Sequence, residues 1–513
     1  MKSRFYVTTP IYYVNDRPHV GNAYTTIAAD AVARYYRQQG RDVFFLTGTD
    51  EHGINNYRAA LARGREPQAH VDELAATFQG VWRTLHISYD RFIRTSEPAH
   101  RRGALAFWRR LQESGDLYRA TYSGPYCPRC EAYYQEDELV DGNCPVHGLP
   151  CEWQEEENYF FRLSRYQREL ERLVGETDFV QPAHRRNEVL AVLRQGLRDF
   201  SVTRRISWGI PAPGAPGEVL YVWVDALANY LTGVGFPDDP ATFERSWPAD
   251  VHLVGKDIIR FHCLYWPALL LSARLPLPRR VFAHGWLTKD GQKLSKTMGN
   301  VIDPVELAAE FGSDAVRYYF LRAIPFGQDG DYSRAAFITR YHADLANGFG
   351  NLVQRATSLV ARYADGVVPE GQALGTPERR LRDDAAALPQ RVAAAFERLA
   401  LDQALEAITG WVTAANRYAE AAAPWRLARA GEREALDTAL YHLAEAARLA
   451  SWYLWPFIPR AAGEAHRRLC GREPAPGFGT FGAVGPGGRV QVGAPLFPRI
   501  EGAPSPHLAR IAG

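Results

Sequence analysis

Lysine is nearly absent from this 513-residue chain. Lys2, Lys256, Lys289, Lys293 and Lys296 are the only five, against a Lys plus Arg total of 60. Four of them fall between residues 256 and 296, in a chain that otherwise uses arginine. That stretch calls for a compact, rotatable ammonium that a planar guanidinium does not replace. Methionine is scarcer still, with Met1 and Met298 alone. No apolar run approaches the roughly 18–20 residues of a membrane span, so no membrane partner is expected. The N-terminus enters the strand-like run Arg4–Thr8 with no apolar signal region, which predicts a cytoplasmic protein. An excess of one charge is also missing. The net charge of +2 excludes a nucleic-acid binder driven by bulk positive charge, DNA included, but leaves room for a local basic face.

Cysteine is sparse, at six residues, yet Cys127, Cys130, Cys144 and Cys151 are clustered. In a long chain without a signal region, such clustering predicts metal rather than disulfides. The segments C-P-R-C (127–130) and C-P-V-H (144–147) each offer two ligands from a short turn. Together they suit a closed tetrahedral site for one structural Zn2+ on Cys127, Cys130, Cys144 and His147. Cys151 is the alternative fourth ligand.

Length at roughly 150 residues per domain predicts three to four domains. The runs Arg4–Thr9, Asp42–Thr47, Val251–Val254 and Arg280–Ala283 read as buried strands. A helix is predicted over 22–39, stopped by Gly40. This strand, helix, strand order is that of a doubly wound parallel sheet. Each run ends in Gly and polar residues, where open parallel sheets bind ligands. Residues 116–210 read as an insertion carrying the cysteines. From 341 onward Ala, Arg, Leu and Glu dominate, and helices near 341–363, 378–399, 402–421 and 434–452 predict a bundle punctuated by Pro377 and Pro424. A Gly- and Pro-rich extended tail follows from about 473.

Two short motifs carry chemistry. P-H-V-G-N (18–22) lies between the first strand and the first helix. Its glycine admits a ligand close to the backbone, the helix N-terminus favours phosphate, and His19 can donate to a phosphoryl group. K-L-S-K-T (293–297) is a doubly basic loop able to close over polyphosphate. Taken singly, each motif also fits an ordinary surface loop.

With T-P-I-Y-Y-V-N (9–15), F-L-T-G-T-D-E-H-G (45–53), Y-V-W-V-D-A-L (221–227) and L-V-G-K-D-I-I-R-F-H (253–262), these motifs resemble the signatures of methionyl-tRNA synthetases, a family of class I aminoacyl-tRNA synthetases. The resemblance spans nearly the whole chain. It implies an α/β fold: a doubly wound parallel (Rossmann-type) catalytic domain split by a zinc-knuckle insertion, then an α-helical bundle that binds the anticodon. Residues 1–115 and 211–275 would be the two halves of the catalytic domain. The insertion would be 116–210, a stem-contact region with the K-L-S-K-T loop 276–340, and the helical domain with its tail 341–513.

The implied reaction joins L-methionine to initiator and elongator methionine tRNAs through methionyl-adenylate. ATP is consumed, AMP and pyrophosphate leave, and Mg2+ accompanies ATP. By the same resemblance, His19, Asn22, Lys293, Ser295 and Lys296 are the catalytic residues. Gly21, Gly255, Asp257 and Leu287 join His19, Asn22, Lys293 and Lys296 in binding ATP. Asp50 suits the methionine ammonium, and Ile11, Tyr13, Trp223, Leu227, Tyr230, Phe261 and His262 the rest of that amino acid. Asn351, Arg355 and Trp425 match the anticodon triad, where a bare base stacks on an aromatic ring. Asn22 stands where the family has His, Leu294 where it has Met, Thr297 where it has Ser, and Leu227 where a small residue, often Pro, is usual. Some members carry a further dimerising C-terminal domain. This chain stops at Gly513, so a monomer is expected. The competing readings are a catalytically silent tRNA-binding paralogue and a small-molecule ligase or nucleotidyltransferase with the same phosphate motifs.

Overall fold

The run R-F-Y-V-T-T-P-I-Y-Y, rich in aromatic and β-branched residues, forms strand β1 (Arg4–Tyr13), whose first seven residues are almost all buried. In this computed structural model, which describes residues 4–128, 132–134, 136–145, 148–294, 301–371, 374–483 and 485–500, β1 lies inside a parallel sheet. Among the described residues that sheet has six strands. Their order is β3 (Arg91–Arg94), β2 (Asp42–Asp50), β1, Val251–Gly255, Val281–His284 and Val180–Gln181. Every pairing is parallel. The four expected strands are therefore neighbours; β1 and β2 run four and three residues beyond their expected ends, and the other two differ by one residue. Val180–Gln181, within the expected insertion, adds an edge strand to the main sheet. A two-residue strand is too short for alternation to reveal.

Pro10 has no N–H to give the ladder, and the register of β1 with β2 shifts between Thr8 and Ile11. Beyond this irregularity Tyr13 stands opposite Asp50. Helix α1 (Val20–Gln38) follows, and Gly40 ends it at φ 80°, as a C-terminal glycine should.

The rest of residues 116–210 builds a separate antiparallel sheet. Leu117–Cys127 pairs with Ala132–Tyr133 and with Glu152–Phe161, which in turn pairs with Phe200–Ser201.

The chain divides into two compact units. One comprises Met1–Ala29, Asp42–Arg83 and Ile87–Gly285; the other comprises Asp30–Arg41, Thr84–His86 and Trp286–Gly513. The second is mainly helical, with Thr376–Glu397, Leu401–Ala422 and Arg433–Leu454 as its longest helices. Pro377 and Pro424 mark helix boundaries, each in the first turn of the helix it opens, where a missing N–H costs nothing. Within this unit Arg317, fully buried, pairs with buried Asp30 at 2.7 Å and donates to the carbonyls of Leu85, Pro456 and Phe457. A buried guanidinium needs such complete satisfaction.

Candidate functional site

β1 marks the place where the order of the parallel sheet reverses. β2, next in sequence, flanks one side, and Val251–Gly255, from far later in the chain, flanks the other. Ligands of such sheets bind beyond the carboxyl ends of the strands at this switch point. His19 and Asp257 leave the carboxyl ends of these two adjacent strands.

His19 precedes the first helical residue of α1 and caps it. Its Nδ1 accepts from the Gly21 N–H at 3.0 Å, and its backbone N–H donates to Asn22 Oδ1 at 3.0 Å. This is a reciprocal cap, with His and Asn in the parts usually taken by Ser or Thr and Glu or Gln. A backbone N–H only donates, so Nδ1 is unprotonated and the neutral ring carries its proton on Nε2. By the same reasoning Asn22 turns its oxygen inward and keeps its NH2 as the donor end. A Cβ on Gly21 would lie 2.8 Å from His19 Cε1 and 2.9 Å from Nδ1. Glycine there lets the imidazole fold back onto the helix end.

His284 secures α1 to the sheet. Its Nδ1–H donates to the Gly285 carbonyl at 2.7 Å, and its Nε2 accepts from the Thr25 hydroxyl at 2.7 Å. Burial lowers its pKa and keeps the ring neutral. Gly255 is opposite His284 in the ladder, and the Asp257 carboxylate occupies the space where a Gly255 Cβ would be.

The aromatic residues expected to hold methionine converge. Trp223 and Phe261 stack at 3.8 Å with planes 3° apart, and His262 meets Trp223 edge-on at 6.1 Å. His262 Nδ1–H donates to the Ile258 carbonyl at 3.0 Å, so its Nε2 accepts from the Tyr230 hydroxyl at 2.7 Å. Burial takes His262 down to about 4. Ile11, Tyr13, Trp223, Leu227 and Tyr230 belong to one hydrophobic cluster. Asp50, 5% exposed, ends β2 beside Tyr13. Phe261–Tyr265 is wound as a π-helical turn, a widening that often marks functional segments.

The helical unit gathers the other expected trio. Asn351 and Arg355 lie one turn apart on Asn351–Tyr363, just after a second π-helical stretch, Tyr341–Gly350. The Arg355 guanidinium lies 5.7 Å from the Trp425 ring centroid and pairs with Glu420 at 2.7 Å. Asn351 donates to Asn416 Oδ1 at 3.2 Å. Leu287 is buried in this same unit, opposite Gly330. Ser295, Lys296, Cys130 and His147, expected as site residues, lie outside the described residues, as does the side chain of Lys293.

A family model described as class I tRNA synthetases (M) matches residues 5–150 and 138–357. A methionine–tRNA ligase from Thermosynechococcus vestitus is 46% identical over 478 residues, covering 91% of this chain and 90% of that relative. One from Caldanaerobacter subterraneus is 44% identical over 507 residues, covering 98% and 80%. The chain belongs to the methionyl-tRNA synthetase family. Among solved structures, Mycobacterium tuberculosis methionyl-tRNA synthetase in complex with methionyl-adenylate matches with a TM-score of 0.93 and 45% identity, over 97% of this chain and 100% of that one.

The fold expected of a methionyl-tRNA synthetase is thus present, sheet and helical region alike. Its cysteine cluster is partly described. Cys127 and Cys144 are buried together, and Cys151 packs against them. Burial and the neighbouring sulfurs push the Cys151 thiol up to about 11. Three soft donors in one small cluster fit a thiophilic metal. Among the described residues they do not by themselves form a metal-holding group.

Three polar side chains inside the motifs were not singled out from the sequence. Glu51 is fully buried and takes a bidentate Arg94 at 2.6 and 2.9 Å. His52 and Asp225 hydrogen-bond to each other at 2.7 Å. Their signal was present, in D-E-H-G and W-V-D-A, but nothing local distinguishes a charged residue that turns inward.

Proposed function

We propose that this chain activates L-methionine with ATP as methionyl-adenylate and transfers the methionyl group to methionine tRNA. The observation that carries this reading is the end-to-end match to a synthetase solved with methionyl-adenylate, helical region included. A small-molecule ligase would have no use for the helical surface of Asn351, Arg355 and Trp425.

In the first step a methionine carboxylate oxygen attacks the α-phosphorus of ATP in line, and pyrophosphate leaves. In the second, a hydroxyl of the terminal tRNA ribose attacks the methionyl carbonyl, and AMP leaves. Such chemistry depends mainly on positioning and charge stabilisation. His19 Nε2–H and the Asn22 NH2 are donors for phosphate at a helix N-terminus, whose dipole adds to them. Asn22 therefore keeps a donor where the family has His. Lys296, supported by Lys293, acts on the leaving pyrophosphate, Ser295 belongs to the same catalytic motif, and Mg2+ bound with ATP would neutralise phosphate charge. Gly255 and Asp257 would seat the adenosine, and Leu287 would lie near the adenine. Asp50 takes the methionine ammonium. The apolar, polarisable wall of Ile11, Tyr13, Trp223, Leu227, Tyr230, Phe261 and His262 takes the thioether side chain. Leu227 replaces a small residue and narrows that wall.

Asn351, Arg355 and Trp425 read the anticodon. One Zn2+, bound by Cys127, Cys130, Cys144 and either His147 or Cys151, would tie the turns of the insertion together without entering the chemistry. The five-part division of labour given above, a cytoplasmic location and a monomeric state complete the reading.

The test is methionine-dependent ATP–pyrophosphate exchange, with and without Lys296→Ala, followed by charging of methionine tRNA. Exchange with methionine alone among the amino acids, lost in the variant, is the expected result. Binding of methionine tRNA with no exchange and no charging would instead favour the silent paralogue. Elemental analysis should find one zinc per chain.

A further inference from the structure

Asp225 is a carboxylate with no exposed surface, in the first turn of the helix Val222–Thr232. Each of its oxygens meets one imidazole. His52 Nδ1 is 2.7 Å from Oδ2, and His100 Nε2 is 2.7 Å from Oδ1. Burial alone would raise the carboxyl, but the two histidines outweigh it and hold Asp225 at about 2. An ionised carboxylate only accepts, so both ring nitrogens donate to it. The two histidines thus use opposite nitrogens for the same task.

The three residues come from three separate elements. His52 lies two residues beyond Asp50. Asn56 fixes that segment by donating to the carbonyls of both Asp50 and His52, at 2.8 and 2.9 Å. Glu51, between them, is anchored on β3 by Arg94. Trp208 covers the His52 ring edge-on at 5.5 Å. His100 comes from the helix Pro98–Glu113, and its Nδ1 lies 2.8 Å from the Thr232 hydroxyl. Asp225 itself is two residues from Trp223 and two from Leu227.

We propose that His52 and His100 are positioning residues for the methionine site: by gripping opposite oxygens of Asp225, His52 ties the helix bearing Trp223 and Leu227 to the segment bearing Asp50, and His100 holds that same helix against Pro98–Glu113. The inference rests on the reading of Asp50, Trp223 and Leu227 as methionine-binding. The ammonium acceptor and the side-chain wall lie on different elements, and apolar packing fixes neither their spacing nor their rotation sharply. The charge-assisted bond from His52 sets the spacing of the two, and the one from His100, on a third element, limits rotation of the helix about that tie.

Because the nitrogens differ, so do the replacements that preserve the bond. Asparagine carries an amide N–H near the place of Nδ1, and glutamine near that of Nε2. Initial rates of ATP–pyrophosphate exchange should be measured on His52→Asn, His52→Gln, His100→Asn and His100→Gln, with KM for methionine and for ATP determined separately and each variant melted thermally. His52→Asn and His100→Gln should keep KM for methionine within about threefold of the parent, whereas His52→Gln and His100→Asn should raise it roughly tenfold or more, with KM for ATP little changed. Equal behaviour of Asn and Gln at both positions would overturn the proposal, and so would a parallel rise in both KM values. Failure of all four variants to fold would overturn it too, by making the relay a requirement of the fold rather than of the site. Absence of methionine-dependent exchange in the parent protein would instead overturn the functional reading beneath it.

Discussion

The two units hold their candidate functional side chains in opposite ways. In the α/β unit, His262, His284 and Asp225 are buried, and each hydrogen-bonds to groups that are themselves largely fixed. In the helical unit, Asn351 is exposed, the Arg355 side chain is 22% exposed, and its partner Glu420 is 63% exposed. The difference suits the two tasks proposed for the two units. Stabilising charge that develops on a phosphorus centre requires dipoles aimed before the substrate arrives. Reading a base requires side chains that exchange one partner for another at small cost, and a surface ion pair worth about 0–1 kcal/mol is cheap to trade.

The sharpest way to break this comparison is at Asp50. If the buried carboxylate holds the methionine ammonium, Asp50→Ala removes one partner of a desolvated ion pair, a loss of about 2–5 kcal/mol. Pyrophosphate exchange should then lose at least about thirtyfold in kcat/KM for methionine, by the conversion of roughly 1.4 kcal/mol per tenfold. A loss below tenfold would mean that the ammonium is held elsewhere.

Acid tests the same unit by another route. The folded pKa of His262 is about 4, below its ordinary 6.5. The unfolded chain therefore binds a proton that the folded chain refuses between these values. Stability from this ring is complete above pH 6.5 and is lost as pH falls toward about 4, by up to about 3 kcal/mol. His262→Gln keeps an acceptor for the Tyr230 hydroxyl but cannot titrate. Urea melts at about pH 7 and about pH 5 should show a smaller acid loss in this variant than in the parent. An unchanged loss would place the acid sensitivity on other buried rings, His284 among them.

The sequence announces most of the α/β unit because its elements obey the periods that reading relies on. β1 and β2 are rich in aromatic and β-branched residues and largely buried, α1 stops just before Gly40, and glycine and polar residues follow each strand. What is hidden has particular causes. At Phe261–Tyr265 and Tyr341–Gly350 the helix widens to a π turn, so a period of 3.6 misplaces the faces of Phe261 and His262 and the approach to Asn351. His52, His100 and Asp225 are polar residues turned inward by partners 125 and 173 positions distant, which no local pattern encodes. Glu51 and Arg317 are illegible for the same reason. Asn22 presents the opposite case. From the sequence it is a departure from the family, whereas the structure gives it a defined capping bond and a donor facing away from the cap.

Trp425 carries the largest expected effect on the exposed side of the comparison. A ring that stacks on one base contributes about 1–3 kcal/mol, so Trp425→Ala should raise KM for methionine tRNA roughly five- to 150-fold in charging assays. The defect should fall on charging rather than on pyrophosphate exchange. An equal defect in both would assign this tryptophan to folding of the helical unit.

The smallest effect should come from Asn416, which supports Asn351 without being one of the expected trio. Its Oδ1 accepts from Asn351, while its own NH2 is held by the carbonyls of Gly348 and Val412 at 3.2 and 3.1 Å. The first carbonyl belongs to the π-helical stretch and the second to its own helix, so Asn416 connects the two. Asn416→Ala leaves Asn351 without that acceptor but exposed to water, which can replace it. The expected cost is that of one solvent-accessible hydrogen bond, about 0.5–1.5 kcal/mol, or roughly two- to tenfold in KM for tRNA. If the loss equals that of Trp425→Ala, the helical surface is as rigidly prepared as the buried site, and the contrast between the two units fails. If the loss is within this range, exchangeable partners are a property of the surface that reads RNA.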